Sequence, residues 1–489
     1  MEFLTVAQFD KRKIADALVV PMWQGPKAPG FAVECKPVHA LIQPLITAGD
    51  FKGKEGEFAV LYPKGLPEKR IILIGLGEQD KATTEQLRRA YGSLVKGTMG
   101  KKIKTLNLLL PEISFLSEDS LVRGVAEGIL LANYIFDRHK KDTNKTLLEK
   151  VTLIDHGKKV LDIANKALVI CEGVYDVRDL VNENADVVTP HYLAQCAKKI
   201  GADYPAIKVT VLTKNQIEKE KMGLLLAVNR GSAHDPAFII MHYKGNPQVH
   251  DNTVIIGKGI TYDTGGLNLK ATQMEIMKCD MAGAAVTMAT ILTACRLGLP
   301  VNLTGVIPAT ENAIDANSYK VGDIYTSFSG KTVEIGNTDA EGRLILADAV
   351  SYACQRLKPT RLIDFATLTG GVDIALGNEA TGLMSNDDAL ADALIRAGSE
   401  TFERVWRLPL YDEYKEALKS DIADLKNVAG RSASTIRAAI FIKQFIQDDI
   451  PWAHFDIAST AFLSEAVRYH PKYATGVGVR LMIDFLEHL

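Results

Sequence analysis

The densest group of chemically capable side chains falls in two short, glycine-bearing segments. One runs Gly257-Lys258-Gly259-Ile260-Thr261-Tyr262-Asp263-Thr264-Gly265-Gly266 and continues through Lys270 to Asp280. The other is Gly336-Asn337-Thr338-Asp339-Ala340-Glu341-Gly342-Arg343. Glycines let the backbone fold closely around an ion or ligand. Asp339 and Glu341 are two apart, so in an extended stretch their side chains point the same way. Asp263, Asp280, Asp339 and Glu341 can then converge. Like charges that close cannot all stay ionised unaided, and divalent cations are the usual remedy. No histidine lies between His250 and His454, so such a cluster is oxygen-rich and admits Zn, Mn, Co or Mg. Two ions about 3.5–4 Å apart, bridged by carboxylates, hold and activate a hydroxide. Lys258 as a ligand needs a neutral amine, and burial beside dications shifts a lysine down from about 10.4. Lys270 and Arg343 stay charged and can stabilise developing oxyanion charge. Each acid taken singly also has a structural reading; Asp339 stands where a helix cap would stand.

Both segments follow apolar strands and lead into helices, the place where open α/β sheets bind ligands. The first part of the chain alternates strands (Ala17–Trp23, Phe58–Tyr62, Arg70–Leu76, Thr105–Leu110, Lys150–Ile154) with helices (Thr84–Thr98, Ser117–Arg138). A linker helix, 158–182, follows without a glycine-rich break. Further strands are expected at Lys208–Thr213, Ala237–Tyr243, Asn252–Ile256, Val301–Ile307, Arg361–Phe365 and Trp452–Ile457. The stretch after Asp280 is apolar at i, i+3, i+4 and i+7 and stops at Gly298-Leu299-Pro300. The stretch from Ala340 is apolar almost all round, as in a helix inside a layered sandwich. The expected fold class is α/β with two domains, each a mixed β-sheet flanked by helices, the C-terminal one carrying the metal site. The expected division is 1–157 and 158–489.

Asn337-Thr338-Asp339-Ala340-Glu341-Gly342-Arg343-Leu344 resembles the signature octapeptide of the leucyl aminopeptidase (cytosol aminopeptidase) family at every position. The Lys258/Asp263/Lys270/Asp280 block resembles the other half of that family's site. Leu180-Val181-Asn182, Glu311-Asn312, Ser329-Gly330-Lys331-Thr332-Val333, Ala366-Thr367-Leu368-Thr369-Gly370 and Ala423–Val428 fall in the family's order. The resemblance covers essentially residues 165–489. It implies a metal-dependent aminopeptidase that releases N-terminal residues from peptides through a hydroxide activated by two metals, Mn or Zn. By the same resemblance Lys258, Asp263, Asp280, Asp339 and Glu341 are the ligands, with Asp263 and Glu341 bridging. Lys270 polarises the scissile carbonyl, and Arg343 holds a bicarbonate that serves as general base. Thr367, Leu368 and Gly370 pair with the substrate main chain, and Met277 walls the first side-chain pocket. A homohexamer supported by the N-terminal domain is also implied. Thr435 departs from the family pattern and is expected to narrow that pocket.

Composition limits the alternatives. The 489 residues carry 57 basic and 59 acidic side chains, a net charge of −2 that argues against nucleic-acid or anionic-membrane binding. No run approaches the ~18 apolar residues of a membrane helix. Six dispersed cysteines without a CxxC pair, and a start lacking a signal-peptide pattern, point to a reducing compartment, the cytoplasm. A phosphate-ester hydrolase would want histidine or more basic residues. Gly330-Lys331-Thr332 fails as a phosphate loop because Tyr325 stands where its first glycine belongs. Gly75-Leu76-Gly77 lacks the third glycine of a dinucleotide fingerprint and reads as a tight turn. A catalytically silent scaffold has no use for several buried acids.

Overall fold

The structure, a computed structural model, describes residues 1–141 and 145–489. It divides into two compact units: Met1–Glu172 with Glu465–Pro471, and Gly173–Ser464 with Lys472–Leu489. The helix Lys158–Asn182 carries the chain from one to the other.

The first unit is built on a mixed sheet in the order Glu2–Val6, Lys150–Ile154, Thr105–Leu109, Ala17–Trp23, Ile71–Gly75, Phe58–Leu61. The first five run parallel; Phe58–Leu61 closes one edge antiparallel. Ala17–Trp23 and Ile71–Gly75 are buried throughout, as continuous apolar runs in a covered sheet must be. Helices Thr84–Thr98 and Glu118–Ala132 pack together, each started by a hydroxyl cap: Thr83 accepts from Gln86 N and Ser117 from Ser120 N. Gly75-Leu76-Gly77 is a tight turn. A β-carbon on Gly75 would meet the Lys54 carbonyl oxygen at 2.1 Å.

The second unit holds a larger mixed sheet, ordered Val405–Arg407, Thr381–Ser385, Trp452–Asp456, Arg361–Ala366, Thr253–Gly257, Asn302–Asn312, Ala237–Lys244, Ile207–Leu212. The four strands from Trp452–Asp456 to Asn302–Asn312 are parallel. Asn302–Asn312 runs on through Pro308, where the sequence suggested an end. Gly259–Asp263 pairs along that extension. The helix Ala282–Leu297 ends at Gly298, which takes the left-handed conformation (φ 63°). By composition alone Met274–Leu297 is long and apolar enough to cross a membrane, contrary to the sequence reading. Its apolar residues are instead the core, 78% of the segment's most apolar window being buried. The helix Gly342–Tyr352 is buried on every side, with Leu344, Ile345, Leu346, Ala347, Ala349 and Val350 fully enclosed. Gly330 forms the left-handed turn of a small hairpin between Ile324–Thr326 and Thr332–Glu334, not a phosphate loop.

Candidate metal centre

The parallel strands end on one side, and the chemically capable residues gather there. Lys258 sits between strands Thr253–Gly257 and Gly259–Asp263, its N–H donating to the Phe365 carbonyl (3.0 Å). Its side chain runs where a β-carbon on Gly342 would stand, 2.7 Å from Nζ, so a larger residue at the start of that helix would displace the Lys258 amine from its partners. Nζ meets Asp280 Oδ1 (2.8 Å), Glu341 Oε1 (3.0 Å) and the Thr367 carbonyl (2.8 Å). Asp263 closes its strand. Its Oδ1 accepts from Gly265 N (2.9 Å) and Asn312 Nδ2 (2.8 Å), and its Oδ2 meets Lys270 Nζ (2.7 Å). Lys270 Nζ also meets Asp339 Oδ1 (2.5 Å). Asp280 follows a 3-10 turn, Met274–Cys279, entered through Gln273 at φ 62°. That left-handed conformation costs a non-glycine residue roughly 1–2 kcal/mol. It is how the loop between Lys270 and Asp280 closes.

Asp263, Asp339 and Glu341 each bring an oxygen within 4.8 Å of the others. Asp280 joins them through Lys258. The convergence of Asp339 and Glu341 does not come from an extended stretch. Asp339 lies in a turn and Glu341 is already helical (φ −73°, ψ −37°) at the start of Gly342–Tyr352. Neither caps that helix by its side chain.

Four carboxylates face two ammoniums in a mostly buried space. Burial and the Glu341 charge push the Asp263 carboxyl up to about 6. Burial holds Asp280 well above the ordinary aspartate range and raises Asp339 as well. Glu341 shifts down, because Lys258 and Lys270 outweigh its burial. Burial opposes the charge on both lysines, yet the acids around them raise their pKa values. Without cations Lys258 is therefore an ammonium, and ligation needs it to lose a proton. Two buried oxygens, Asp280 Oδ2 and Glu341 Oε2, have no hydrogen-bond partner. A buried carboxylate oxygen left bare is costly unless something positive meets it. The donor set thus fits divalent cations.

The cluster closes the floor of a cavity of about 860 Å3, also lined by Met277, Thr367, Leu368 and Gly370. Arg343 is buried two residues after Glu341, in the helix Gly342–Tyr352; its Nη1 donates to the Asn427 carbonyl (2.8 Å) while Nε has no partner. Burial lowers its guanidinium to about 10. Cys279 is buried beside Asp280, its thiol pushed up to about 12. Thr435 does not line the cavity. It lies behind Thr369, hydroxyl to hydroxyl at 2.7 Å, so it does not narrow the pocket directly.

Three supporting residues had no role in the sequence reading, although Asn312 and Thr338 stand in segments that carry the resemblance. Asn312 holds Asp263 and the Thr338 carbonyl (3.0 Å) together. Thr338 Oγ1 donates to the Gly265 carbonyl (2.7 Å), stitching the two segments. Asp456 accepts from Leu368 N (3.1 Å) and Thr369 Oγ1 (2.7 Å), fixing the wall of the cavity. Asn312 and Asp456 end their strands. Asn312 also stands in Glu311-Asn312, a segment in the family's order; the signal for Asp456 was a polar side chain at the carboxyl end of an apolar strand.

A bare, acid-rich floor at the carboxyl ends of a mixed sheet defines a metal-dependent hydrolase site. Residues 176–483 match the profile of the cytosol aminopeptidase family, catalytic domain, and residues 19–143 that of its N-terminal domain. A "Probable cytosol aminopeptidase" of Protochlamydia amoebophila is 56% identical over 100% of this chain and 99% of its own. One from Chlamydia abortus is 47% identical over 99% and 98%. Among solved structures, the bottromycin maturation enzyme BotP, also solved in complex with Mn, superposes with a TM-score of 0.87. It is 30% identical, over 97% of this chain and 99% of its own. A mutant of tomato leucine aminopeptidase gives 0.88 at 29% identity, over 100% and 97%. The chain belongs to the cytosol aminopeptidase family.

Proposed function

We propose that this protein is a cytoplasmic, metal-dependent aminopeptidase releasing N-terminal amino acids from peptides, with two divalent ions per subunit, Mn or Zn. The carrying observation is the floor of the cavity: four carboxylates and two lysines with Asp280 Oδ2 and Glu341 Oε2 unsatisfied. Lys258, Asp263, Asp280, Asp339 and Glu341 would hold the ions. When bound, they supply Lewis acidity and lower the pKa of water toward neutrality.

The chain's own groups do the rest. Asp263 and Asp339 hold the Lys270 ammonium at the cavity floor, where it can stabilise negative charge on the scissile carbonyl oxygen. A free α-amine beside the ions that the floor residues would hold could supply a further nitrogen ligand, which favours attack at the first bond of a peptide. Thr367, Leu368 and Gly370 offer backbone groups to the substrate main chain, and Asp456 keeps that turn in place. Met277 forms part of the wall against the first side chain. Arg343, with Nε unsatisfied, would hold bicarbonate as the base that moves a proton to the leaving amine. In this reading residues 158–489 carry the chemistry and 1–157 support a homohexamer.

The test is hydrolysis of an aminoacyl-p-nitroanilide by chelator-stripped protein reloaded with Mn or Zn. Turnover restored by metal supports the reading. No turnover across a full amino-acid panel, with metal bound, overturns it.

A further inference from the structure

Four basic side chains line the cavity: Lys258, Lys270, Arg431 and Lys472. Their situations differ. Lys258 and Lys270 are each clamped between two carboxylates on the floor. Arg431 and Lys472 are exposed, and among the described residues neither has a carboxylate partner. The Lys472 ammonium stands 4.9 Å from the centroid of the Tyr473 ring, another lining residue. The only exposed acid in the outer lining is Asp373. At the mouth of the cavity, cations therefore outnumber acids two to one. A site of this volume lies within the roughly 300–1,000 Å3 that encloses a small ligand. A peptide whose first bond lies at the floor must send its carbonyl-side end toward the mouth.

We infer that Arg431 and Lys472 form a carboxylate-recognition site at the mouth of the cavity. They favour short peptides that carry a carboxylate beyond the scissile bond. This rests on the aminopeptidase reading and adds the substrate class to it. A guanidinium takes a carboxylate through paired N–H donors, and an ammonium adds a point charge. Both groups are exposed, so the preference is modest, about fivefold in kcat/KM, and it weakens with salt.

The experiment compares kcat/KM for matched substrates on the metal-loaded protein. One arm sets alanyl-alanine against its C-terminal amide, reading a terminal carboxylate. The other sets alanyl-aspartyl amide against alanyl-asparaginyl amide, reading an acidic side chain. At least one ratio is expected near fivefold at low salt, falling toward one in about 0.5 M NaCl, where the screening length shrinks to ~4 Å. Arg431→Gln combined with Lys472→Gln should collapse that ratio and remove its salt dependence. Ratios of one in both arms for the unaltered protein, or a ratio that survives the double substitution, would overturn the inference. Failure to cleave any substrate, aminoacyl-p-nitroanilide included, would instead strike the aminopeptidase reading.

Discussion

Two groups of buried charge, one in each unit, are arranged in opposite ways. In the first, Glu68 is 1% exposed and fully engaged: Arg12 grips it through Nε (2.7 Å) and Nη2 (3.1 Å), and Asn107 donates at 2.7 Å. Glu127 meets Arg88 (2.6 Å), and Glu85 meets Arg89 (2.9 Å) and the Tyr469 hydroxyl (3.0 Å). Guanidiniums match carboxylates there. Burial pushes Glu68 up, but Arg12 and Asn107 outweigh it and hold the carboxyl below its ordinary value. In the second unit Asp263, Asp280 and Asp339 are held above theirs, and two oxygens stay bare. A closed set of charges serves the fold. An open one awaits a ligand.

The comparison breaks most visibly at Glu341. Glu341→Ala should cut turnover by more than the roughly 10–100-fold that loss of an outer partner costs. It should also lower metal content below that of the unaltered protein, read by elemental analysis; an active, fully loaded variant would refute the assigned role. Asn312→Ala leaves the acids in place but frees Asp263, and should weaken metal affinity about 10–100-fold, read by calorimetry. In the first unit, Glu68→Ala strands Arg12 and should cost about 3–5 kcal/mol in urea unfolding, without a specific loss of metal.

The pH dependences should run in opposite senses. Glu68 is depressed in the fold, so its stabilisation is present above about 4.5 and is lost as pH falls through its folded value. Asp263 is raised to about 6 from 3.8, so without ions its contribution is greatest below 3.8 and is lost as pH rises through about 6. Cations need that proton gone. Metal affinity should therefore strengthen as pH rises from about 5 to about 7, because binding releases that proton, measured by titration at fixed ionic strength. A flat or inverted dependence would deny the competition.

How much of this was legible depended on how local the signal was. The central strands were readable because buried parallel strands are continuous apolar runs, and Lys150–Ile154 and Thr84–Thr98 fall where the pattern put them. The strand Glu2–Val6 was missed because only Phe3 of it is buried. The helix Lys36–Ala48 was missed because Pro37 and Pro44 break its pattern, although Pro37 stands in the first turn, where proline is tolerated. The acids and lysines of the floor were legible because they cluster in two segments. Asn312 was legible only as part of a family-ordered segment, not in its role, and Asp456 was not legible, since their partners lie 49 and 87 or 88 positions away. Asp339 looked like a helix cap and is instead an ion-pair partner of Lys270.

The central claim is that the open set of charges is a metal site that drives hydrolysis. It is tested most directly by counting Mn bound per chain after stripping and reloading, with p-nitroanilide turnover measured on the same samples. The account predicts two ions per chain and turnover that rises with occupancy. Full turnover in stripped protein, or an intact fold that binds no ion, would contradict it.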